Sequence, residues 1–312
     1  MLPNLPVTFL SKAKLINGDA VKSQTRDELI TQMRSTDNNT AVQAVNKLRE
    51  NNWLTDGSLY KADLSGANLS KADLSGASLC KVNLIGADLR DANMSGADLT
   101  RAILRKANLR GANLVAANLY VADLEGADLT EANLEEAELR HADFGGARLN
   151  DANLKYVIMV GANLSQAELN NADMQYANLA SVALPAANLK GANLKVACLQ
   201  VANLMGACLK DAVLENAFLG LADLEDADLT DANLKGAKLD MANLTNANLM
   251  NANLMGVDLN NANLTEADLS GACLIDVNLA HADLSGAKIT TDQLNQAESF
   301  EDAILPDRPK GE

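Results

Sequence analysis

The chain of 312 residues is poor in the residue types from which most active sites and metal centres are built. It contains two histidines, four cysteines and one tryptophan, and only 3% of its residues are aromatic. A Gly-rich phosphate loop, a G-x-S-x-G motif and an H-E-x-x-H motif are all missing. Catalysis requires several reactive groups that converge, so this scarcity predicts a protein that is not an enzyme.

Long hydrophobic runs and basic clusters are also lacking. No window approaches the roughly 18 apolar residues of a membrane span, and the N-terminus has no basic region of the kind that begins a signal peptide. Acidic residues outnumber basic ones by 41 to 26, which gives a formal charge of −15. An acidic chain lacks the cations that bind phosphate groups. We therefore expect a cytoplasmic protein that contacts no membrane and no nucleic acid directly.

A leucine or a close substitute recurs at every fifth position from Leu59 to Ile289, without insertion or deletion. From position 64 onward there are 46 such central positions, of which 41 are Leu. The residue two places before the centre is Ala at 41 of the 46 and Val at the other five. One large and one small apolar column predict two inward-facing side chains in every five residues.

The other three positions of the repeat are rich in turn residues. Asp or Asn directly precedes the centre in 32 of 46 repeats, and 14 of the 19 glycines stand two residues after it. A glycine at that place fits a type II turn, which requires a positive φ there. A period of five matches neither a helix nor a regular strand. The pattern predicts a short extended segment followed by a tight turn.

The segment KADLSGANL at residues 61–69 resembles the A(D/N)LXX motif of the pentapeptide-repeat family, and 47 tandem copies cover about three quarters of the chain. The resemblance implies an all-β solenoid, a right-handed quadrilateral parallel β-helix in which four pentapeptides form one coil. The 47 copies then give about 12 coils, and a rod on the order of 55 Å long at about 4.8 Å per coil. Stacked Leu and Ala columns would bury a continuous core.

The N-terminal segment, residues 1–58, is predicted to carry two short helices that cap the solenoid. Thr25 and Glu28 form a capping box for a helix that ends near Arg34, and residues 41–51 show helical spacing. A solenoid exposes apolar side chains and unpaired backbone groups at its ends. We expect the second helix and Trp53 to cover the first coil; a ligand-binding Trp53 is the alternative. Residues 13–15 could be a stray repeat turn or a loop.

The repeat domain is assigned to residues 59–290 and the C-terminal cap to residues 291–312. Residues 290–300 predict a short helix with Thr or Asp as its N-cap. Residues 303–307 resemble one more repeat turn, and residues 307–312 are expected to be disordered.

The few potential metal ligands do not converge in the predicted coil. His141 and His281 would lie on one side but about 34 Å apart, at about 4.8 Å per coil. Cys198 and Cys208 are ten residues apart and fall on opposite sides, which excludes a disulfide or a zinc site between them. Hydrogen bonds between coils explain the Asp and Asn column without calcium. We expect no metal, no cofactor and no catalytic residue.

Residues 20 positions apart fall on the same side of the predicted coil, and grouping them in this way shows that the four sides differ. Three are polar outside, apart from scattered residues such as Ile103, Ala183 and Pro185. The fourth, centred on Leu79, Leu99 and Leu119, is apolar in its middle together with the adjoining corner. A contiguous apolar patch is typical of a partner site, although outward positions of a β-helix also favour β-forming residues. The candidate protein-binding residues are Tyr120, Val121, Tyr156, Ile158, Val160, Tyr176, Val196, Val201, Phe218 and Leu221.

Two acidic runs should wrap the rod as belts, because successive pentapeptides turn corners. The first contains Asp123, Glu125, Asp128, Glu131, Glu135, Glu136 and Glu138, and the second contains Asp223, Glu225, Asp226, Asp228 and Asp231.

Two functions remain open at this point. The leading hypothesis is a non-enzymatic, rigid interaction scaffold that binds an unidentified protein partner, or forms a homodimer, through its apolar side. The alternative is an acidic rod that mimics DNA and binds DNA gyrase or another DNA-binding protein, as the resemblance to gyrase-protecting family members implies. Those relatives often carry Phe at many central positions, whereas this chain has only Phe144.

Overall fold

The structure is a computed structural model and describes residues 24–306. Its helices are α1 (Arg26–Met33), α2 (Asn38–Glu50) and α3 (Thr291–Leu294). The possible repeat turn at 13–15 and the expected disorder of 307–312 lie outside the described residues.

Between α2 and α3 the chain forms a parallel β-solenoid. Each strand is reduced to one bridging residue directly before the central Leu, and the bridges run from Asp63↔Asn83 to Asp268↔Lys288 with a constant spacing of 20 residues. Four pentapeptides therefore make one coil with four sides. This confirms the solenoid and its parallel stacking.

Backbone hydrogen bonds connect each coil to the next and close each turn. Leu64 N–H donates to the Asn83 carbonyl at 2.7 Å, and Gly66 N–H donates to the Ile85 carbonyl at 2.9 Å. Within the repeat, Ala67 N–H donates to the Leu64 carbonyl at 3.1 Å. The same pattern recurs along the rod, so a five-residue unit satisfies its backbone groups without long strands.

Both apolar columns point inward, as predicted. The central residues from Leu64 to Leu284 are at most 1% exposed, and Phe144, the largest of them, is fully buried. The Ala and Val column is buried beside it from Ala67 to Ala287. Because burying one Leu side chain contributes about 1.5–3 kcal/mol, the stacked columns are the main source of stability.

The residue two places after each centre, called the turn position below, has a positive φ throughout the solenoid. All 46 such residues from position 61 to 286 have φ between +53° and +73°. The predicted sign of φ is confirmed, but only 14 of these residues are Gly. The others adopt a left-handed conformation that costs an L-residue about 1–2 kcal/mol.

The Asp and Asn column performs two hydrogen-bonding tasks. Asn83 Oδ1 accepts from Ile85 N–H at 3.1 Å, and Asn83 Nδ2 donates to Asp63 Oδ1 of the preceding coil at 3.0 Å. Equivalent pairs recur, for example from Asn153 to Asn133 at 3.0 Å. The predicted hydrogen bonding between coils is confirmed.

The N-terminal helices lie over the first coil. The predicted capping box of Thr25 and Glu28 is present, and α1 ends at Met33 with Arg34 as its C-cap. The start predicted for α2 was wrong by three residues, because Asp37 accepts from Thr40 N–H and begins the helix at Asn38. Trp53 is half-buried against the core.

Two side chains of α2 replace the backbone donors that a preceding coil would supply. Asn38 Nδ2 donates to the Asn68 and Ser70 carbonyls at 3.3 and 2.8 Å. Arg49 Nη2 donates to the Asp73 and Ser75 carbonyls at 2.8 and 3.1 Å. Two adjoining sides of the open end are thereby covered.

A glutamine serves the same purpose at the C-terminal end. Gln293, within α3, is buried, and its Nε2 donates to the Leu269 and Ala272 carbonyls at 2.7 and 2.9 Å. The helix is shorter than the predicted 290–300 segment, because the chain must return to the ladder at Ser299, which bridges Asn278. Ile304 then bridges Asp283, in the segment predicted as one more repeat turn.

Candidate protein-binding side

We call one side of the four-sided rod, together with its two corners, the apolar side. Its residues occupy the bridging position, the position after the centre or the turn position of successive coils. Six of the eight are exposed, while Val160 and Val196 are half-buried. The apolar side consists of Tyr156, Ile158, Val160, Tyr176, Val196, Val201, Phe218 and Leu221.

A stacked pair of tyrosines marks the first corner. The rings of Tyr156 and Tyr176 lie 5.1 Å apart between centroids and are inclined by 5°. Val196 follows them at the turn position of the next coil. Since each residue lies 20 positions after the last, the helical stacking of the solenoid itself creates this apolar column.

A second column runs along the bridging positions of the same side. Ile158 pairs with Asn178, Asn178 with Cys198, and Cys198 with Phe218. Asn178 is the only polar member of this series, and Ile158 and Phe218 are both exposed. The column lies two residues along the chain from the tyrosine corner, so the two surfaces adjoin.

The opposite corner of this side carries Val201, Leu221 and Met241 at successive turn positions. They are 55%, 57% and 55% exposed. Large apolar side chains with more than half of their surface in water, one above the other, form a ridge available for contact.

The structure does not join Tyr120 and Val121 to the rest of the candidate set. A charged coil containing Arg140 and His141 lies between them and Val160. The Tyr120 ring packs against the His141 ring with 6.0 Å between centroids. The Arg140 guanidinium lies 5.9 Å from the centroid of the Tyr120 ring. The two residues therefore form a separate, smaller cluster.

Sequence reasoning missed an extension of the apolar side across its second corner. Pro185 and Met205 stand 20 residues apart in one column, where Ala186 N–H donates to the Met205 carbonyl at 2.9 Å. Met205 is exposed and follows Val201 in the same coil. A comparison of outward residues on adjoining sides would have revealed Pro185 and Met205. When each side is considered separately, Pro185 is an isolated apolar residue on a polar side.

The turn positions of the apolar side have the same positive φ as the other turn positions, but here they carry bulky apolar side chains. Val196 and Val201 have φ of 58° and 59°, and Tyr156 and Tyr176 have φ of 58° and 59°. A positive φ is a genuine outlier for a β-branched residue. Gly occupies 14 of the equivalent positions elsewhere, so bulky apolar residues are present here at a cost in stability.

Ion pairs neutralise the lysines beside the tyrosine corner. Lys155 Nζ lies 3.0 Å from Asp173, and Lys195 Nζ lies 2.9 Å from Glu215. The hydrogen bond to Asp173 raises the pKa of Lys155, and the one to Glu215 raises the pKa of Lys195. The corner is therefore bordered by paired charges and presents little net charge of its own.

A cleft lies elsewhere, at the C-terminal end of the rod. It has a volume of about 1010 Å³ and is lined by residues of the last coil, α3 and the chain up to Pro306. In residues 24–306, no group of three or more His, Cys, Asp or Glu side chains is arranged to hold a metal ion. None of the three described helices has the length and apolar character needed to cross a membrane.

The sequence model of the family described as Pentapeptide repeats matches eight segments. Seven of them overlap and span residues 58–246, and the eighth covers residues 252–290. The chain belongs to the pentapeptide-repeat family. Membership agrees with the 20-residue ladder and with the buried Leu and Ala columns described above.

Several solved structures of pentapeptide-repeat proteins are similar to this chain. HetL, involved in heterocyst differentiation regulation in the cyanobacterium Nostoc sp. strain PCC 7120, is 35% identical over 70% of this chain and 89% of its own, with a TM-score of 0.32. Rfr23 from the cyanobacterium Cyanothece 51142 is 32% identical over 41% of this chain and 87% of its own, with a TM-score of 0.23.

QnrB1, a plasmid-mediated fluoroquinolone resistance protein, is also similar to this chain. In its full-length form it is 16% identical over 59% of this chain and 85% of its own, with a TM-score of 0.34. Among curated proteins no match is found.

Proposed function

We propose that this pentapeptide-repeat protein is a rigid, non-enzymatic interaction scaffold that binds a protein partner, or a second copy, through its apolar side. The expected right-handed winding into about 12 coils and a cytoplasmic location belong to the same proposal. The two end caps and the uninterrupted ladder support rigidity, since every coil is hydrogen-bonded to both neighbours.

The observation that carries the proposal is the coincidence of exposure and strain. Tyr156, Tyr176, Val201 and Leu221 are each about half exposed and each adopt a positive φ. Neither property stabilises the folded chain: the exposed apolar surface gains nothing from the core, and the left-handed backbone costs energy. A partner that covers these side chains would supply the compensating burial.

The decisive experiment replaces two residues on different columns of the apolar side. The double variant Tyr176→Glu/Phe218→Glu should lose its partner or its self-association by tenfold or more, because two carboxylates would be desolvated in the interface. Native pull-down from the source cytoplasm identifies the partner, and light scattering during gel filtration reports self-association.

A matched control adds the same charges to the opposite side. Asn188→Glu/Met250→Glu should leave both readouts unchanged. If the apolar-side variant also keeps every association state and every captured protein, while both variants melt at the wild-type temperature, the scaffold proposal is wrong.

A second candidate function is an acidic DNA mimic that binds DNA gyrase or another DNA-binding protein. One observation favours it: the five carboxylates of the second belt form no ion pair within residues 24–306. A gyrase supercoiling assay distinguishes the two. Inhibition, or protection from a fluoroquinolone, would place DNA mimicry first, and no effect at micromolar protein would remove it.

A further inference from the structure

The two acidic belts are related by a shift of 100 residues, which is five coils. Asp123, Glu125, Asp128 and Glu131 therefore occupy the same sides and the same repeat positions as Asp223, Glu225, Asp228 and Asp231. Because both belts belong to one ladder, these four pairs of carboxylates share the same backbone geometry and can be compared by their neighbouring side chains.

Four arginines pair with five of the seven carboxylates of the first belt. Arg105 Nε lies 2.6 Å from Asp123 Oδ2, and Arg105 Nη2 lies 3.5 Å from Glu125 Oε2. Arg110 pairs with Glu131 at 2.6 Å. Two further arginines complete the set, Arg140 with Glu138 at 2.8 Å and Arg148 with Asp128 at 2.8 Å.

The second belt lacks every one of these arginines. Its carboxylates accept amide hydrogen bonds instead, as when Asn243 Nδ2 donates to Asp223 at 3.0 Å and to Glu225 at 3.3 Å. An amide carries no charge, so within residues 24–306 the carboxylates of the second belt have no ion-pair partner. The residues 100 positions after the four arginines are Met205, Lys210, Asp240 and Asn248.

The second belt begins where the apolar side ends. Asp223 stands two residues after Leu221, and Glu225 follows Met205 in one column, joined by the Gly206 N–H to Glu225 carbonyl hydrogen bond of 2.8 Å. At the position equivalent to Arg105 in the first belt, the second belt has Met205. The border of the second belt therefore has one cation fewer and more exposed apolar surface. The first belt has no exposed apolar side chain at this position, because Arg105 occupies it.

We propose that the partner of the apolar side is a basic protein whose contact surface is apolar at its centre and carries Lys or Arg residues along the edge that meets Asp223, Glu225 and Asp226. This inference rests on the proposed function and specifies the chemistry of its partner. The free carboxylates would pair with the partner's cations and steer its approach.

A second copy of the chain fits this surface less well. It would bring a further formal charge of −15, and its first-belt arginines already hold carboxylates of their own chain. Pairing the second belt with them would break those existing ion pairs. Charge complementarity therefore selects a different, basic protein.

The test measures binding of short defined peptides to the full chain by fluorescence anisotropy. One peptide combines leucines and lysines in an amphipathic pattern, a second replaces each lysine by glutamate, and a third replaces each leucine by serine. We expect the first to bind at least tenfold more tightly than the other two, with an affinity that falls as salt rises, since rim charges are screened.

Matched variants locate the charge that matters. Met205→Arg supplies the second belt with the cation that the first belt has, and should weaken the leucine-lysine peptide about tenfold. Asp223→Asn/Glu225→Gln should weaken it similarly. The control Asp123→Asn/Glu125→Gln, 100 residues earlier, should change the affinity by less than about twofold, because Arg105 already pairs with both carboxylates.

The inference is overturned if the glutamate peptide binds as tightly as the lysine peptide, if no peptide binds, or if the first-belt control weakens binding as much as the second-belt variant. Failure of the underlying scaffold proposal looks different. In that case Tyr176→Glu/Phe218→Glu changes neither peptide binding nor association. If Tyr176→Glu/Phe218→Glu abolishes association while the second-belt variant does not, the apolar side is an interface but charge does not select its partner. If light scattering then shows a dimer, the partner is a second copy of the chain and not a basic protein.

Discussion

Opposite sides of the same coils differ only in what they turn outward. The apolar side lies half a coil from the "polar side", the outward positions around Leu189, Leu209 and Leu229. Behind both, the central Leu and the preceding Ala are equally buried. At the turn positions of one coil, Val201 faces out on the apolar side and Asp211 on the polar side, with φ of 59° and 60°. Folding is encoded identically in both, so any functional difference resides in the outward residues.

The largest expected effect is the loss of unfolding free energy when a central Leu is truncated, and it should be equal on the two sides. Leu179→Ala on the apolar side and Leu189→Ala on the polar side should each lower the free energy of unfolding by about 3–5 kcal/mol, through lost burial and a residual cavity. Chemical denaturation measures both values. A difference well above about 1 kcal/mol would show that the core also distinguishes the sides.

A smaller effect should have opposite signs on the two sides. Val201→Asn places a residue that tolerates positive φ at a strained position and should raise the free energy of unfolding by about 1 kcal/mol. Asp211→Val should lower it by a similar amount. If Val201→Asn is destabilising, the valine contributes to folding and the argument from strain fails.

The smallest effect concerns pH and belongs to the polar side. Hydrogen bonds from Lys288 and Ser270 lower the pKa of Asp268 from 3.8 to about 2. A lowered pKa in the folded state means that this stabilisation is present above pH 3.8 and is lost as the pH falls towards 2. The pair is partly exposed, so we expect less than about 1 kcal/mol.

Asp268→Asn should therefore reduce the loss of stability between pH 4 and 2, as followed by denaturation at several pH values. Val160→Ala on the apolar side should leave that acid-dependent part unchanged. An unaltered pH profile for Asp268→Asn would contradict the role of the ion pair with Lys288.

The regular part of the fold could be predicted from the sequence because each inference depended on one repeated unit. The inward columns, the positive φ at the turn position and the Asn83 to Asp63 type of hydrogen bond all follow from the pattern of five. The beginning of α2 did not, because several residues between 35 and 40 can cap a helix and only the structure shows that Asp37 does so.

The candidate site could be predicted only in part, because surfaces depend on neighbours far apart in the chain. Sorting by twenty placed Tyr156 above Tyr176, whose stacking the structure shows. It also grouped Tyr120 with them, although the coil of Arg140 lies between. The pairing of Arg105 with Asp123 depends on the reach of a side chain across coils, and only the structure shows it. A count of the carboxylates alone therefore makes the two belts look alike.

The side-chain donors at the two ends give the rod a property of its own. Asn38, Arg49 and Gln293 bind backbone carbonyls, a feature that every coil repeats. Deleting or duplicating any 20 consecutive residues of the ladder would present the same carbonyls to the same donors. The rod can thus be shortened or lengthened by whole coils, in steps of about 4.8 Å. Such changes would set the distance between the apolar side and either end of the rod.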